Sequence, residues 1–163
     1  MLPNRSRIRY TTEINPIGPA PPAGVVILAI TTLPPTRLAN ISTRGRVGAG
    51  DDVMIAGFIA PGGGDTRRLL VRGIGPSLGN FGVPSPLADP VLKIVDGNGV
   101  EVVTNDNWKS NQQNAIIGTG LAPTNDLEAA YIGQFAAGQY TAILSGNGGG
   151  TGAGLVEVYQ FGN

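Results

Sequence analysis

A 163-residue chain that is 41% hydrophobic, only 13% charged, and rich in glycine (26) and proline (13) has the make-up of short strands joined by tight turns. It contains no cysteine and no histidine, which removes disulfides, thiolate chemistry, Cys-bearing zinc sites, the Ser-His-Asp triad and the usual general base. Eleven basic and eleven acidic side chains cancel, but unevenly: residues 1–46 carry six arginines against Glu13, while residues 47–163 carry five basic residues against ten acids.

The N-terminal segment comes first in chain order. Arg5, Arg7 and Arg9 lie in RSRIRY, the place where a basic arm would meet nucleic acid. The acidic body and the lack of a recognisable nucleic-acid module argue instead for a solvated or self-complementary tail, so no nucleic-acid partner is expected. Next comes PPAGVVILAITTLPP at 21–35, an apolar run between two proline pairs. The stretch GVVILAI is far short of the roughly 18–20 residues a membrane-spanning helix needs, and its Pro-rich approach suits a signal peptide poorly, so no membrane insertion is expected. Its β-branched residues favour a strand over 24–32. Val25, Ile27 and Ala29 form one face and Val26, Leu28 and Ile30 the other, so both faces are apolar. Seven of the thirteen prolines fall in residues 1–35, which places a boundary near Thr36: a Pro-rich arm over 1–35 and one domain over 36–163.

Beyond the boundary the pattern predicts eight short strands: RLANIST (37–43), DVMIAGFIA (52–60), RRLLVRGI (67–74), PVLKIVD (90–96), VEVVTN (100–105), AYIGQF (130–135), QYTAILSG (139–146) and AGLVEVYQF (153–161). In the later strands Tyr140, Ala142 and Leu144 share a face, and Leu155, Glu157 and Tyr159 oppose Val156, Val158 and Gln160. Asp96-Gly97-Asn98-Gly99 predicts a hairpin, residues 111–117 a helical turn or two, and RGIGPSLGNFG (72–82) a specified bend. The expected fold is all-β: a two-sheet antiparallel β-sandwich, jelly-roll or Ig-like, with an extended N-terminal arm.

Few residues are placed for chemistry. GGGTGA (148–153) matches a loose dinucleotide-loop pattern, but a strand follows where a helix N-terminus is required. Asp51 with Asp106, or Asp126 with Glu128, could serve as a carboxylate pair, yet nothing in the spacing selects either. Asn105, Asp106 and Asn107 gather oxygen donors beside the Asp96/Asn98 turn, which suits a hard cation and makes Asp96, Asn105 and Asp106 the candidate calcium ligands. Local turn chemistry explains the same residues equally simply. Trp108, the only tryptophan, is a candidate stacking platform for a sugar or a core anchor.

Four stretches together, STRGRVGAGDDVMIAGF, RRLLVRGIGPSL, LADPVLKIVDGNGVEVVTNDNW and GQYTAILSGNGGGTGAGLVEVYQF, resemble a β-sandwich repeat of large secreted or surface proteins of environmental bacteria. The later two are also similar to bacterial pre-peptidase C-terminal domains. The resemblance implies an extracellular, non-catalytic module, in some relatives with calcium at the Asn/Asp hairpin, which maps here onto Asp96, Asn105 and Asp106. The chain departs from that pattern in its N-terminal arm.

Two functions follow as expectations. One is a structural subunit of an extracellular, pilus-like filament or surface assembly, polymerising head to tail with itself as Val25 to Ile30 are donated to a neighbour's sheet. The other is a module that binds glycan or cell-wall polymer through Trp108 and the loop ends. Neither is an enzyme, and neither needs a cofactor beyond the candidate calcium.

Overall fold

The computed structural model describes residues 40–60 and 66–161. The chain divides into two units, Met1–Thr36 and Arg37–Asn163, and all described residues belong to the second. Eight strands are formed: β1 (Asn40–Val47), β2 (Met54–Ala60), β3 (Arg67–Ile74), β4 (Pro90–Asp96), β5 (Glu101–Asn105), β6 (Ala129–Phe135), β7 (Gly138–Gly146) and β8 (Gly152–Gln160), with one short helix, α1 (Gln113–Ile117), between β5 and β6. They make two four-stranded sheets, ordered β1-β8-β3-β6 and β2-β7-β4-β5, with antiparallel neighbours throughout. Eight strands alternating between two sheets in this order are a jelly roll, which decides between the two sandwich types the sequence left open.

Alternation explains which side chains meet between the sheets. Leu69 and Val71 of β3, Val156 and Val158 of β8, Leu92 and Ile94 of β4, and Ala142 and Leu144 of β7 form one core with Phe58 and Phe135. Tyr140 packs against that core beside Ala142 and Leu144, and stacks on Phe58 with ring centroids 5.5 Å apart. β3 also buries its other face. Leu70 joins Trp108, Ile116, Ala130 and Ile132 in a second cluster, because the β5–β6 connection folds over the outside of the first sheet. This two-sided burial is why Leu69, Leu70 and Val71 follow one another in RRLLVRGI instead of alternating with polar residues.

The first strand differs from the expected 37–43. Residues 37–39 lie outside the described residues, and β1 continues through Arg44, Gly45 and Arg46 to Val47, paired along β8 from Asn40↔Tyr159 to Val47↔Gly152. An edge strand is held by its ladder and does not require an apolar face, so the charged RGR stretch gave no periodic signal. The β4–β5 hairpin forms as expected. Asp96 Oδ1 accepts from the amides of Asn98 (2.9 Å) and Val100 (2.8 Å), and Gly99 takes the left-handed φ of 78° that the turn requires. The expected helical turn is α1.

Residues 72–82 do form a specified bend, running from β3 into a 3-10 turn at Pro76–Phe81. Leu87 plugs the end of the sandwich beneath it, fully buried, with its amide donating to the Ala153 carbonyl at 2.8 Å. Two glycines make room for that plug. A Cβ on Gly75 would lie 2.2 Å from the Leu87 carbonyl oxygen, and one on Gly152 would lie 2.6 Å from its amide nitrogen. Gly75→Ala therefore forces backbone apart and is expected to cost about 1–3 kcal/mol in urea unfolding. A melt identical to wild type would show that the plug can shift freely.

Candidate functional site

The hairpin's geometry does not bring Asp96, Asn105 and Asp106, the expected calcium ligands, together at one point. Asn105 pairs with Leu92 across the β4–β5 ladder, so Asp96 lies four residues further along β4, about 13 Å away at ~3.3 Å per residue. Asp96 is occupied in its own turn. Asn105 is buried and serves as a clasp: its Oδ1 accepts from the Ala130 amide at 2.9 Å and its Nδ2 donates to the Asn107 carbonyl at 3.2 Å. Among the described residues no group of three Asp, Glu, His or Cys side chains is placed to hold a metal ion.

Trp108 is likewise a core anchor and not a stacking platform. It is 5% exposed, its Nε1 donates to the Asn125 carbonyl at 3.1 Å, and its amide donates to the Glu128 carbonyl at 2.8 Å. Lys109 sits over the ring, 5.4 Å from its centroid, and pairs with Asp126 at 2.5 Å. Asp126 therefore faces solvent with Lys109 while Glu128 is wholly buried, so the two do not form a carboxylate pair across a cleft. Arg5, Arg7, Arg9 and Val25, Val26, Ile27, Leu28, Ala29 and Ile30 lie outside the described residues.

One pairing escaped the sequence reading. Asp89, just before β4, and Asp106, just after β5, come together at the end of the hairpin away from its turn. Asp89 Oδ2 accepts from Asn147 Nδ2 at 3.0 Å, and the Asp89 carbonyl accepts from the Asn147 amide at 2.8 Å. The remaining Oδ1 of Asp89 and Oδ1 of Asp106 are buried, with no donor among the described residues. Burial, then the charge of Asp89 and a hydrogen bond to it, push the Asp106 carboxyl above the ordinary carboxylate range. When protonated, Asp106 can donate to Asp89 across this contact; when ionised, the two carboxylates repel. Seventeen residues separate them, and no local motif marks Asp89.

A groove of about 580 Å³ opens on the outer side of the first sheet. Ile74, Leu78 and Leu155 line it, Arg44 stands at one side, and Phe81, 83% exposed, forms the lip. Arg72 crosses its floor: Nε donates to Glu157 Oε2 at 3.0 Å, Nη1 to the Leu121 carbonyl at 2.6 Å, and Nη2 to the Tyr159 hydroxyl at 3.1 Å. The Tyr159 hydroxyl donates to Glu157 Oε1 at 2.8 Å; burial and that bond hold the phenol above its usual range. Glu128, 0% exposed, accepts from the Gly75 amide, the Ser77 amide and the Ser77 hydroxyl at Oε1, and from the Asn125 amide at Oε2. Arg72, Glu157 and Glu128 are thus each matched to fixed partners. The arrangement fastens loops and presents no activated nucleophile or base.

The edges of the sheets are the remaining feature. β2 reads MIAGFIA, seven residues without a charge. Met54, Ala56, Phe58 and Ala60 point toward the core, and Ile55 and Ile59 stand outward at 63% and 74% exposure.

No family model matches the chain, and a search of the curated proteins returns no match.

The acid pair has a pH signature. Because the carboxyl of Asp106 is raised, the folded state holds a proton more tightly than the unfolded chain. The penalty of ionising it is present at neutral pH and is relieved as pH falls through the folded pKa toward the ordinary value of 3.8. Asp106→Asn, which removes the charge and supplies an amide donor, is expected to melt above wild type at pH 7, the difference shrinking as pH is lowered toward 4. A variant that melts lower at pH 7 would contradict an unfavourable charge at Asp106 beside Asp89.

Proposed function

We propose that this protein is a structural subunit of an extracellular filament or surface assembly, which polymerises when residues 24–32 of one copy join the sheet of the next. One observation carries the reading. Among the described residues, eight strands make a complete jelly-roll order and enclose two hydrophobic clusters. Ahead of them the sequence carries an apolar run with two apolar faces, set off by Pro21-Pro22 and Pro34-Pro35. A second copy gives such a run a burial site without asking the domain to rearrange.

Charge segregation supports the same reading. A basic N-terminal stretch and an acidic body attract between copies, which speeds encounter and favours one orientation. A head-to-tail contact of this type propagates into a fibre unless its rotation closes a ring. Among the described residues no helix is long and apolar enough to cross a membrane. The resemblance to secreted β-sandwich repeats supports a location outside the cell, and the reading is of a non-catalytic protein with itself as partner.

Deleting residues 1–35 tests this directly. The expected product is a soluble, folded monomer by sedimentation and circular dichroism that forms no polymer and takes up a synthetic peptide of residues 21–35. Ile27→Asp with Leu28→Asp is expected to behave alike, since burying unpaired carboxylates costs several kcal/mol. An unfolded deletion product would show that the strand belongs to its own domain, and undiminished fibres would refute strand donation.

A further inference from the structure

We infer that the acceptor is the outer edge of β2, with Gly24–Ile30 of one copy lying antiparallel along Met54–Ala60 of the next. This rests on the strand-donation reading above and adds which edge is used, in what direction and in what register.

Among the described residues the two sheets end in four edge strands: β1 and β6 in the first, β2 and β5 in the second. Exposed edges are templates for foreign strands, and proteins block them with charge, brevity, bulges or side-chain caps. Three of the four carry such a device. β6 is capped, because the Ala130 amide donates to Asn105 Oδ1 and the Ile132 amide donates to Gln112 Oε1 at 3.1 Å. β5 has five residues, its register with β4 shifts between Ile94 and Val95, and Glu101 sits at its start with Lys93 3.7 Å away. β1 carries Arg44 and Arg46. β2 has none of these: it is seven residues long, uncharged, regularly paired to β7 from Met54↔Leu144 to Ala60↔Gly138, and no side chain or loop among the described residues bonds its other edge.

The donor matches in length and in shape. GVVILAI is also seven uncharged residues, with prolines lying outside the paired stretch. Laid antiparallel with Ile27 opposite Gly57, the middle of the donor sets large against small at three successive pairs: Ile27 with Gly57, Leu28 with Ala56 and Ala29 with Ile55. On the outward face Ile27 fills the space over Gly57, where an added Cβ meets nothing within 4 Å, and Ala29 and Val25 lie opposite Ile55 and Ile59. On the inward face Leu28 meets Ala56, Val26 meets Phe58 and Ile30 meets Met54, extending the core past its present rim. The antiparallel direction also brings the donor's C-terminal flank, with Arg37, toward Asp51 and Asp52 just before β2. It continues the pattern of sheets that are antiparallel throughout.

Because the chain has no cysteine, single substitutions report contacts cleanly. Full-length Val25→Cys is mixed in turn with differently tagged Ile59→Cys, Ile55→Cys and Val102→Cys chains, assembled and oxidised. The expected result is a mixed disulfide dimer for 25–59 and none for 25–55 or 25–102, which samples the β5 edge. A 25–55 bridge would overturn the antiparallel direction, and a 25–102 bridge would overturn the β2 assignment while leaving strand donation intact. Wild-type protein that never polymerises would defeat strand donation itself, and the β2 assignment with it. Ile55→Lys with Ile59→Lys supplies a second reading, since both side chains face solvent in the monomer. That variant is expected to melt like wild type and raise the critical concentration for assembly roughly tenfold or more; unchanged assembly would overturn the assignment.

Discussion

Glu128 is the fixed point of the fold. A fully buried carboxylate is costly to desolvate, and it persists only because the Gly75 and Ser77 amides, the Ser77 hydroxyl and the Asn125 amide all donate to it. Those donors come from the bend after β3 and from the loop before β6, so one side chain ties together segments some fifty residues apart. Its own backbone carbonyl accepts from the Trp108 amide, which pins the cover over the first sheet. With that cover in place, Leu70, Ile116 and Ile132 are buried behind the sheet, and Asn105 and Gln112 reach the β6 amides. The closed state of one end of the molecule follows from this carboxylate.

The opposite end lacks a counterpart. β1 and β2 are the edges on the far side of the sandwich, and neither receives a side-chain cap among the described residues. The proposed assembly rests on this asymmetry: β6 and β5 are capped or interrupted on one side, while β2 is regular and uncharged on the other. In the proposed assembly the electrostatic segregation would act over longer range than backbone pairing and orient copies before a ladder formed.

Much of the fold was legible in the sequence because it rests on short-range signals. Alternation in QYTAILSG and AGLVEVYQF, the Asp96–Gly99 turn and the bend at Pro76 are local, and each formed where its residues indicated. The start of the first strand was not legible, since an edge strand carrying Arg44, Gly45 and Arg46 has no periodicity to read. At the candidate site, local reading misled. Asn105 and Trp108 looked like ligands because of their neighbours in TNDNW, but their roles are set by Ala130 and Asn125, some twenty residues away. Asp106 found its partner in Asp89 through the β4–β5 pairing, a contact that no spacing rule announces. The capping of β6, which leaves β2 as the undefended edge, likewise exists only once the strands are placed.

Amide hydrogen exchange, followed in dilute monomer and in assembled protein, tests the central claim that residues 40–161 close their own core and leave 24–32 for a neighbour. Backbone amides in β3 and β8 are expected to be slow in both states, while residues 24–32 and the outward amides of Met54–Ala60 become protected only on assembly. Protection of residues 24–32 in the monomer, unchanged by dilution, would contradict the account.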